Sequence, residues 1–181
     1  MIVSMRIAFL FLLSFLSLGI FAQSVAPKDS LRNSYGASLE IENSFKWPTA
    51  YVNFGLHYMH RFSSRFSSGL SLGIGNNKAS GINYRYEIFP FVRFDLSKKK
   101  ISPFIDFGFG YHFYYGQRIM DYGYGITSNW YDYDEFFINS RLGLCVVNRE
   151  RINMDLVFKY SLDFNGRDFF GLGIYGYLKT K

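Results

Sequence analysis

Apolar and polar residues alternate along most of this chain, in eight stretches between Tyr35 and Leu178. In the stretch 82–96, alternate positions hold Tyr84, Tyr86, Ile88, Pro90, Val92, Phe94 and Leu96. The intervening positions include Arg85, Glu87, Arg93 and Asp95. Successive side chains of a β-strand point to opposite faces, so a period of two predicts strands rather than helices. Polar turns separate the stretches, which favours an antiparallel, all-β fold.

The alternation predicts eight strands, with approximate bounds Tyr35–Phe45, Tyr51–Phe62, Phe66–Gly75, Ile82–Leu96, Ile101–Tyr115, Glu135–Val147, Ile152–Phe164 and Phe169–Leu178. No residue at the apolar positions is charged, whereas the other positions hold 13 charged residues and 10 glycines. The interior of an eight-stranded barrel is just filled by side chains, so it cannot hold the whole apolar set. We therefore predict an eight-stranded antiparallel up-and-down transmembrane β-barrel, with the apolar set in lipid. A secreted soluble barrel or sandwich is the alternative.

The first 22 residues have the pattern of a secretory signal peptide. Arg6 precedes the apolar run Ile7–Ala22, and a polar stretch follows. This pattern predicts export and cleavage after Ala22. An uncleaved anchor is the alternative, although it needs an apolar run of about 20 residues. Residues 23–34 are then a periplasmic N-terminal segment, and residues 35–181 are the barrel domain.

Turn lengths predict the orientation of the barrel. The turns Ser63–Arg65, Ser97–Lys100 and Asn148–Arg151 are short, and the longest connection, Gly116–Asp134, is on the other side. Short turns are periplasmic in such barrels, so both termini are predicted there. The chain is rich in aromatic residues, with 21 Phe, 15 Tyr and 2 Trp, and outward aromatics gather at the membrane interfaces. The predicted outer girdle is Phe45, Tyr84, Tyr86, Tyr111, Tyr115, Phe136, Tyr160, Phe164 and Phe170, and the inner girdle is Tyr35, Tyr58, Phe62, Phe66 and Phe94.

The signal peptide, strand count, alternation and loop asymmetry resemble those of the small eight-stranded bacterial outer-membrane β-barrel family. The chain is similar in plan to the transmembrane domain of the outer membrane protein A group. The resemblance covers about Tyr35–Leu178 and implies a location in the cell outer membrane. The sequence departs from that family at Leu178–Lys181, where such barrels typically finish on an aromatic residue.

Charged residues at the inward positions predict a network of ion pairs that fills the lumen, because buried charges are costly unless they are paired. The alternative is a narrow polar pore. The predicted network consists of Glu40, Glu42, Arg61, Arg85, Glu87, Arg93, Asp95, Asp106, Arg141, Asp155, Lys159 and Asp163.

The sequence does not indicate catalysis. Outer-membrane enzymes that deacylate lipid A carry a His-x-Ser arrangement, and His57, His60 and His112 lack it. We predict no enzyme activity, metal site or cofactor, and we interpret the inward Cys145 as a structural thiol. The net charge of +6 comes from scattered basic residues, so no nucleic-acid partner is expected.

The segment Gly116–Glu135 is the most unusual local sequence. Tyr and Trp supply rigid contact area in binding loops, which predicts a binding surface formed by Tyr122, Tyr124, Trp130, Tyr131 and Tyr133. The alternative is a hairpin whose aromatics pack on one another or rest in headgroups. We expect a monomeric structural or interaction protein that contacts outer-membrane lipid and either envelope proteins or an extracellular ligand. A small component of an envelope assembly or secretion machine and a narrow channel are the alternatives.

Overall fold

The computed structural model describes residues 32–44, 50–77, 83–97, 101–121, 126–149 and 151–180. These residues form the strands β1 (Arg32–Ser44), β2 (Ala50–Arg61), β3 (Phe66–Asn77), β4 (Asn83–Asp95), β5 (Ser102–Asp121), β6 (Ile126–Asn148), β7 (Ile152–Asp163) and β8 (Asp168–Thr180). Consecutive strands pair antiparallel, and β8 also pairs with β1, so the sheet closes into a barrel. The predicted fold class is confirmed. Within the described part of the chain, no helix is long and apolar enough to cross a membrane.

The barrel wall is apolar on the outside and polar on the inside. Leu39 and Leu56 point outward and are 57% and 56% exposed, whereas the inward Arg85 and Arg141 are 0% and 1% exposed. Exposed and buried residues alternate along the strands. In β7 this alternation is unbroken from the first residue to the last. This distribution is the reverse of a water-soluble barrel, in which the apolar face would be inside.

Inward glycines leave room for large side chains in the lumen. A Cβ atom added at Gly143 would overlap the ring of Phe104, whereas one at the outward Gly176 would meet nothing within 4 Å. The glycines of the polar set therefore reflect a filled interior.

Two irregularities interrupt the ladders. The pairing of β4 with β5 omits Phe89 and Pro90 without a change of register, because proline has no N–H to donate. The register of β6 against β7 shifts between Cys145 and Val147. Both leave the barrel closed.

The structure corrects several predicted boundaries. β1 begins at Arg32, so the end of the predicted segment 23–34 belongs to the barrel; residues 1–31 lie outside the described residues. The predicted loop Gly116–Asp134 is mostly strand, because β5 continues to Asp121 and β6 begins at Ile126. Tyr, Trp, Ile and Thr favour extended backbone, and the Gly and Asp residues among them hide the alternation. Phe62 follows the end of β2 and is buried rather than outward.

Candidate functional site

The centre of the lumen is organised around Lys159 of β7. Its Nζ lies 3.2 Å from Glu40, 2.7 Å from Glu42 and 3.2 Å from Glu87. Arg85 adds a second cation and donates from Nη2 to Glu42 over 2.6 Å. All five side chains are buried. Strands β1, β4 and β7 are thus joined across the lumen by ion pairs.

A second cluster contains two arginines and two aspartates. Arg93 donates from Nε to Asp106 over 2.8 Å and from Nη1 to Asp155 over 2.7 Å. The Nε of Arg141 lies 3.2 Å from the other oxygen of Asp106. Two guanidinium groups therefore meet two carboxylates, which balances their formal charge within the cluster.

Tyr175 of β8 links the two clusters. Its hydroxyl accepts a hydrogen bond from Arg141 over 3.2 Å and donates one to Glu40 over 2.5 Å. The linked clusters form one network, and shared hydrogen bonds of this kind hold its members in place.

Ion pairs also lie at both ends of the barrel. At the terminal end, where β1 begins and β8 ends, Arg61 pairs with Asp95 at 3.2 Å. At the opposite or hairpin end, Arg167 in the β7–β8 turn pairs with Asp163 at 2.9 Å and also with Glu135. The hairpin end of the lumen is therefore occupied by a side chain from a turn.

The structure places all twelve charged residues of the predicted network inside the barrel wall, each in at least one ion pair. Three further residues of the network were not predicted from the sequence: Glu135, Arg167 and Tyr175. Glu135 lies six residues before Arg141 in the same strand, so the alternation places both side chains on the inward face. Glu135 could therefore have been predicted from the sequence. Arg167 lies in a turn, where the alternation of a strand does not predict the direction of a side chain.

Aromatic rings fill the space between the charges. Phe89, Phe91 and Phe137 are almost completely buried in one cluster. The guanidinium carbon of Arg141 lies 4.5 Å from the ring centre of Phe91, and His112 stacks on Phe137 at 3.8 Å. Cation–π contacts of this kind stabilise a desolvated arginine.

A polar cavity of about 220 Å³ opens at the terminal end. Arg93 and Asp155, which belong to the ion-pair network, form its most buried wall. The cavity is lined by Arg61, Ser64, Arg93, Asp95, Ser97, Ser102, Cys145, Asn148, Asn153 and Asp155. The predicted inward position of Cys145 therefore agrees with the structure.

One buried serine lies beside a histidine. The Oγ of Ser38 is 2.7 Å from Nε2 of His57, a distance suited to a nucleophile and its base. Ser38 can instead donate to Glu40, over 3.3 Å, so the carboxylate contacts the serine and does not orient the imidazole. Ser38 and His57 are both buried in the filled lumen. Among the described residues, no group of three or more His, Cys, Asp or Glu could hold a metal ion.

The structure separates the aromatic residues of the predicted loop surface. Trp130 is exposed and stacks on Tyr115. Tyr133 points the other way, stacks on Tyr114 at 4.5 Å and accepts a hydrogen bond from Arg167. Tyr122, Tyr124 and the side chain of Tyr131 lie outside the described residues. The side chains of β6 in this region thus alternate between the outer surface and the mouth of the lumen.

Solved structures with a similar fold include bacterial outer-membrane barrels. Neisserial surface protein A superposes with a TM-score of 0.61 at 9% identity, over 82% of this chain and 96% of that one. The attachment invasion locus protein of Yersinia pestis superposes with a TM-score of 0.54 at 12% identity, over 83% and 99%. The chain has the fold of the small eight-stranded outer-membrane β-barrels.

The same fold occurs in the outer-membrane enzyme PagL, with a TM-score of 0.52 at 14% identity over 78% of this chain and 97% of that one. At these identities the likeness shows the fold alone, and one fold serves a surface protein, an attachment protein and an enzyme. No protein-family model and no curated protein matches the sequence.

Proposed function

We propose that this chain is an integral, monomeric protein of the bacterial outer membrane, exported with a cleaved signal peptide at residues 1–22. It acts without catalysis, as a closed barrel that anchors the extended β5–β6 hairpin outside the cell. The observation that carries this proposal is the inverted wall, with exposed aliphatic side chains around a buried network of ion pairs. Such a wall is stable in lipid, whereas in water it would leave a continuous apolar belt exposed.

Aromatic residues at both ends of the wall support a position across the membrane. Tyr35 and Tyr58 are exposed and lie 5.3 Å apart at the terminal end. At the hairpin end, Tyr111 contacts Phe136 at 4.8 Å, and Phe136 contacts Phe164 at 6.4 Å. Outward aromatics at two levels are typical of the interfaces of membrane barrels.

The filled lumen favours an interaction role over a channel. Lys159, Arg85 and the aromatic cluster around Phe89 occupy the middle of the barrel. An eight-stranded lumen packed in this way leaves no wide aqueous path. We expect purified protein to give no stepwise conductance in planar lipid bilayers. Reproducible single-channel steps would overturn the filled-lumen part of the proposal.

The buried Ser38–His57 pair does not support hydrolysis. A substrate acyl chain in the membrane would meet the outer wall, whereas both side chains face the lumen. The proposal therefore assigns them a packing role.

Two measurements test the membrane and export parts of the proposal. Folded barrels of this kind are expected to migrate differently on gels before and after boiling, because the closed sheet resists detergent. N-terminal sequencing of protein recovered from outer membranes should begin at Gln23. Recovery of soluble protein with unchanged gel mobility after boiling would contradict a closed barrel in lipid.

A further inference from the structure

The β5–β6 hairpin extends beyond its neighbouring strands. The last residue of β5 paired with β4 is Gly116, opposite Asn83. The pairing of β6 with β7 begins only at Phe137, opposite Asp163. Residues 117–121 and 126–130 therefore extend beyond the barrel wall as a two-stranded ribbon, and the outward residues at its base are accessible to a partner.

The base of the ribbon carries two stacked rings on its outer surface. Tyr115 and Trp130 lie 5.2 Å apart with ring planes 22° from parallel. They are 48% and 57% exposed, so about half of each side chain remains accessible despite the stacking. An exposed Trp–Tyr pair supplies large contact area with little loss of side-chain entropy.

Two carboxylates share this outer surface. Asp132 lies opposite Tyr115 in the ladder, and Asp134 lies opposite Phe113. Both are exposed, and neither makes an ion pair with another described residue. Exposed charges are too costly to place in hydrocarbon. Asp134 therefore marks the level at which lipid contact ends. Trp130 lies nearer to the start of β6, beyond this level and outside the lipid.

The exposed charges of the described residues are segregated between the two ends of the molecule. The exposed basic side chains, Arg65, Arg149 and Arg151, lie in turns at the terminal end. The exposed acids, Asp132 and Asp134, lie at the hairpin end. At short range these two exposed carboxylates attract cations and repel polyanions.

We propose that the outer surface formed by Tyr115, Trp130, Asp132 and Asp134, the acidic aromatic face, binds an arginine- or lysine-rich segment of a partner polypeptide. Both kinds of group favour a cation, since the faces of aromatic rings are negative and the carboxylates accept charge-assisted hydrogen bonds. Arginine suits the face best, because its planar guanidinium can stack on an aromatic ring and bind a carboxylate at the same time. This inference rests on the proposed outer-membrane orientation, which places the face outside the cell.

The test uses the full mature chain folded in nanodiscs of zwitterionic lipid and a fluorescent oligoarginine peptide, with empty nanodiscs as the blank. Fluorescence anisotropy should show binding that weakens as salt is raised. Combining Asp132→Asn with Asp134→Asn should weaken binding about tenfold, and Trp130→Ala should weaken it about threefold. Ser64→Lys, which changes the charge of an exposed turn at the terminal end, should leave the affinity unchanged.

Oligoglutamate and heparin fragments serve as ligands of the opposite charge. The inference is overturned if oligoarginine binding is the same in all variants, or if heparin fragments bind and oligoarginine does not. Gel mobility before and after boiling is measured on every sample. If the double aspartate variant and Trp130→Ala keep the folded mobility but bind as the unmodified chain does, the acidic aromatic face alone is rejected. Loss of that mobility in the unmodified chain rejects the proposed function.

Discussion

Lys159 contacts more buried carboxylates than any other cation in the described part of the chain. It contacts three carboxylates that come from two other strands, and it is only 2% exposed, so solvent could not compensate for losing them. The desolvation of its ammonium group is offset only because the three partners are in place. The side chain thus stabilises the barrel through its partners, and those partners depend on it equally.

Replacement of this lysine tests that dependence. In Lys159→Met, three buried carboxylates lose their shared cation, and we expect the free energy of unfolding to fall by about 3–5 kcal/mol. Ser161→Ala is the matched control, because Ser161 is buried two residues along β7 and its Oγ has no hydrogen-bond partner among the described residues. The control should change stability by less than about 1 kcal/mol. Urea unfolding in lipid vesicles measures both, and equal losses would contradict the assigned role of Lys159.

The β5–β6 hairpin is the element that differs most from the other pairs of strands. β5 and β6 have 20 and 23 residues, whereas each of the other six strands has 12 or 13. Arg167 holds the base of the hairpin from a neighbouring turn, through Glu135, the hydroxyl of Tyr133 and the rings of Tyr133 and Tyr114. A two-stranded ribbon is marginally stable alone, so these contacts matter for its order.

Loss of the Arg167 contacts should loosen the hairpin and leave the barrel intact. In Arg167→Gln we expect faster amide hydrogen exchange in residues 126–136, while β1 and β2 keep their protection. Arg149→Gln is the control, because Arg149 is exposed in a turn at the terminal end. Uniformly faster exchange in every strand would show instead that Arg167 supports the whole barrel. Mass spectrometry after timed exchange separates these outcomes.

The same element shows how far sequence reasoning reaches. Strict alternation predicted the existence and faces of the eight strands, because one apolar face and one polar face leave a readable period. The ends of β5 and β6 were not predicted, since outside the lipid both faces of a strand can be polar or aromatic. The alternation also predicted that Glu40 and Lys159 point inward. Their ion-pair partners were not predicted, because these depend on which residues of β1 and β7 lie at the same height in the barrel. The inward direction of Arg167 was not predicted, because this residue lies in a turn and not in an alternating strand.

At the scale of the whole molecule, the proposed location in the membrane places the apolar outer wall in lipid, while the charged side chains of the lumen are surrounded by protein. Leu56 lies near the middle of β2, and Val52 lies four residues nearer to the hairpin end. Their exposures, 56% and 54%, are almost equal. In water the two positions would therefore tolerate a charge equally, whereas in a bilayer the cost depends on depth.

A pair of arginine substitutions distinguishes the two environments. Leu56→Arg should destabilise the folded protein by about 2–4 kcal/mol, and Val52→Arg by about 0–1 kcal/mol, when unfolding is measured in lipid vesicles. The comparison needs no further control, because both variants add the same side chain to the same strand. Two small and equal effects would indicate that the outer wall does not face hydrocarbon.

The position of Glu40 has a consequence for the order in which the barrel assembles. Its partners Lys159 and Tyr175 lie 119 and 135 residues farther along the chain, so the carboxylate meets them only after almost the entire polypeptide has been gathered. Contacts so distant in sequence slow folding, because the entropy of a long loop is lost before they form. A sheet that entered the bilayer with an open seam would expose Glu40 to hydrocarbon. Seam closure and insertion are therefore coupled into one cooperative step, and a half-inserted sheet would be an unstable intermediate.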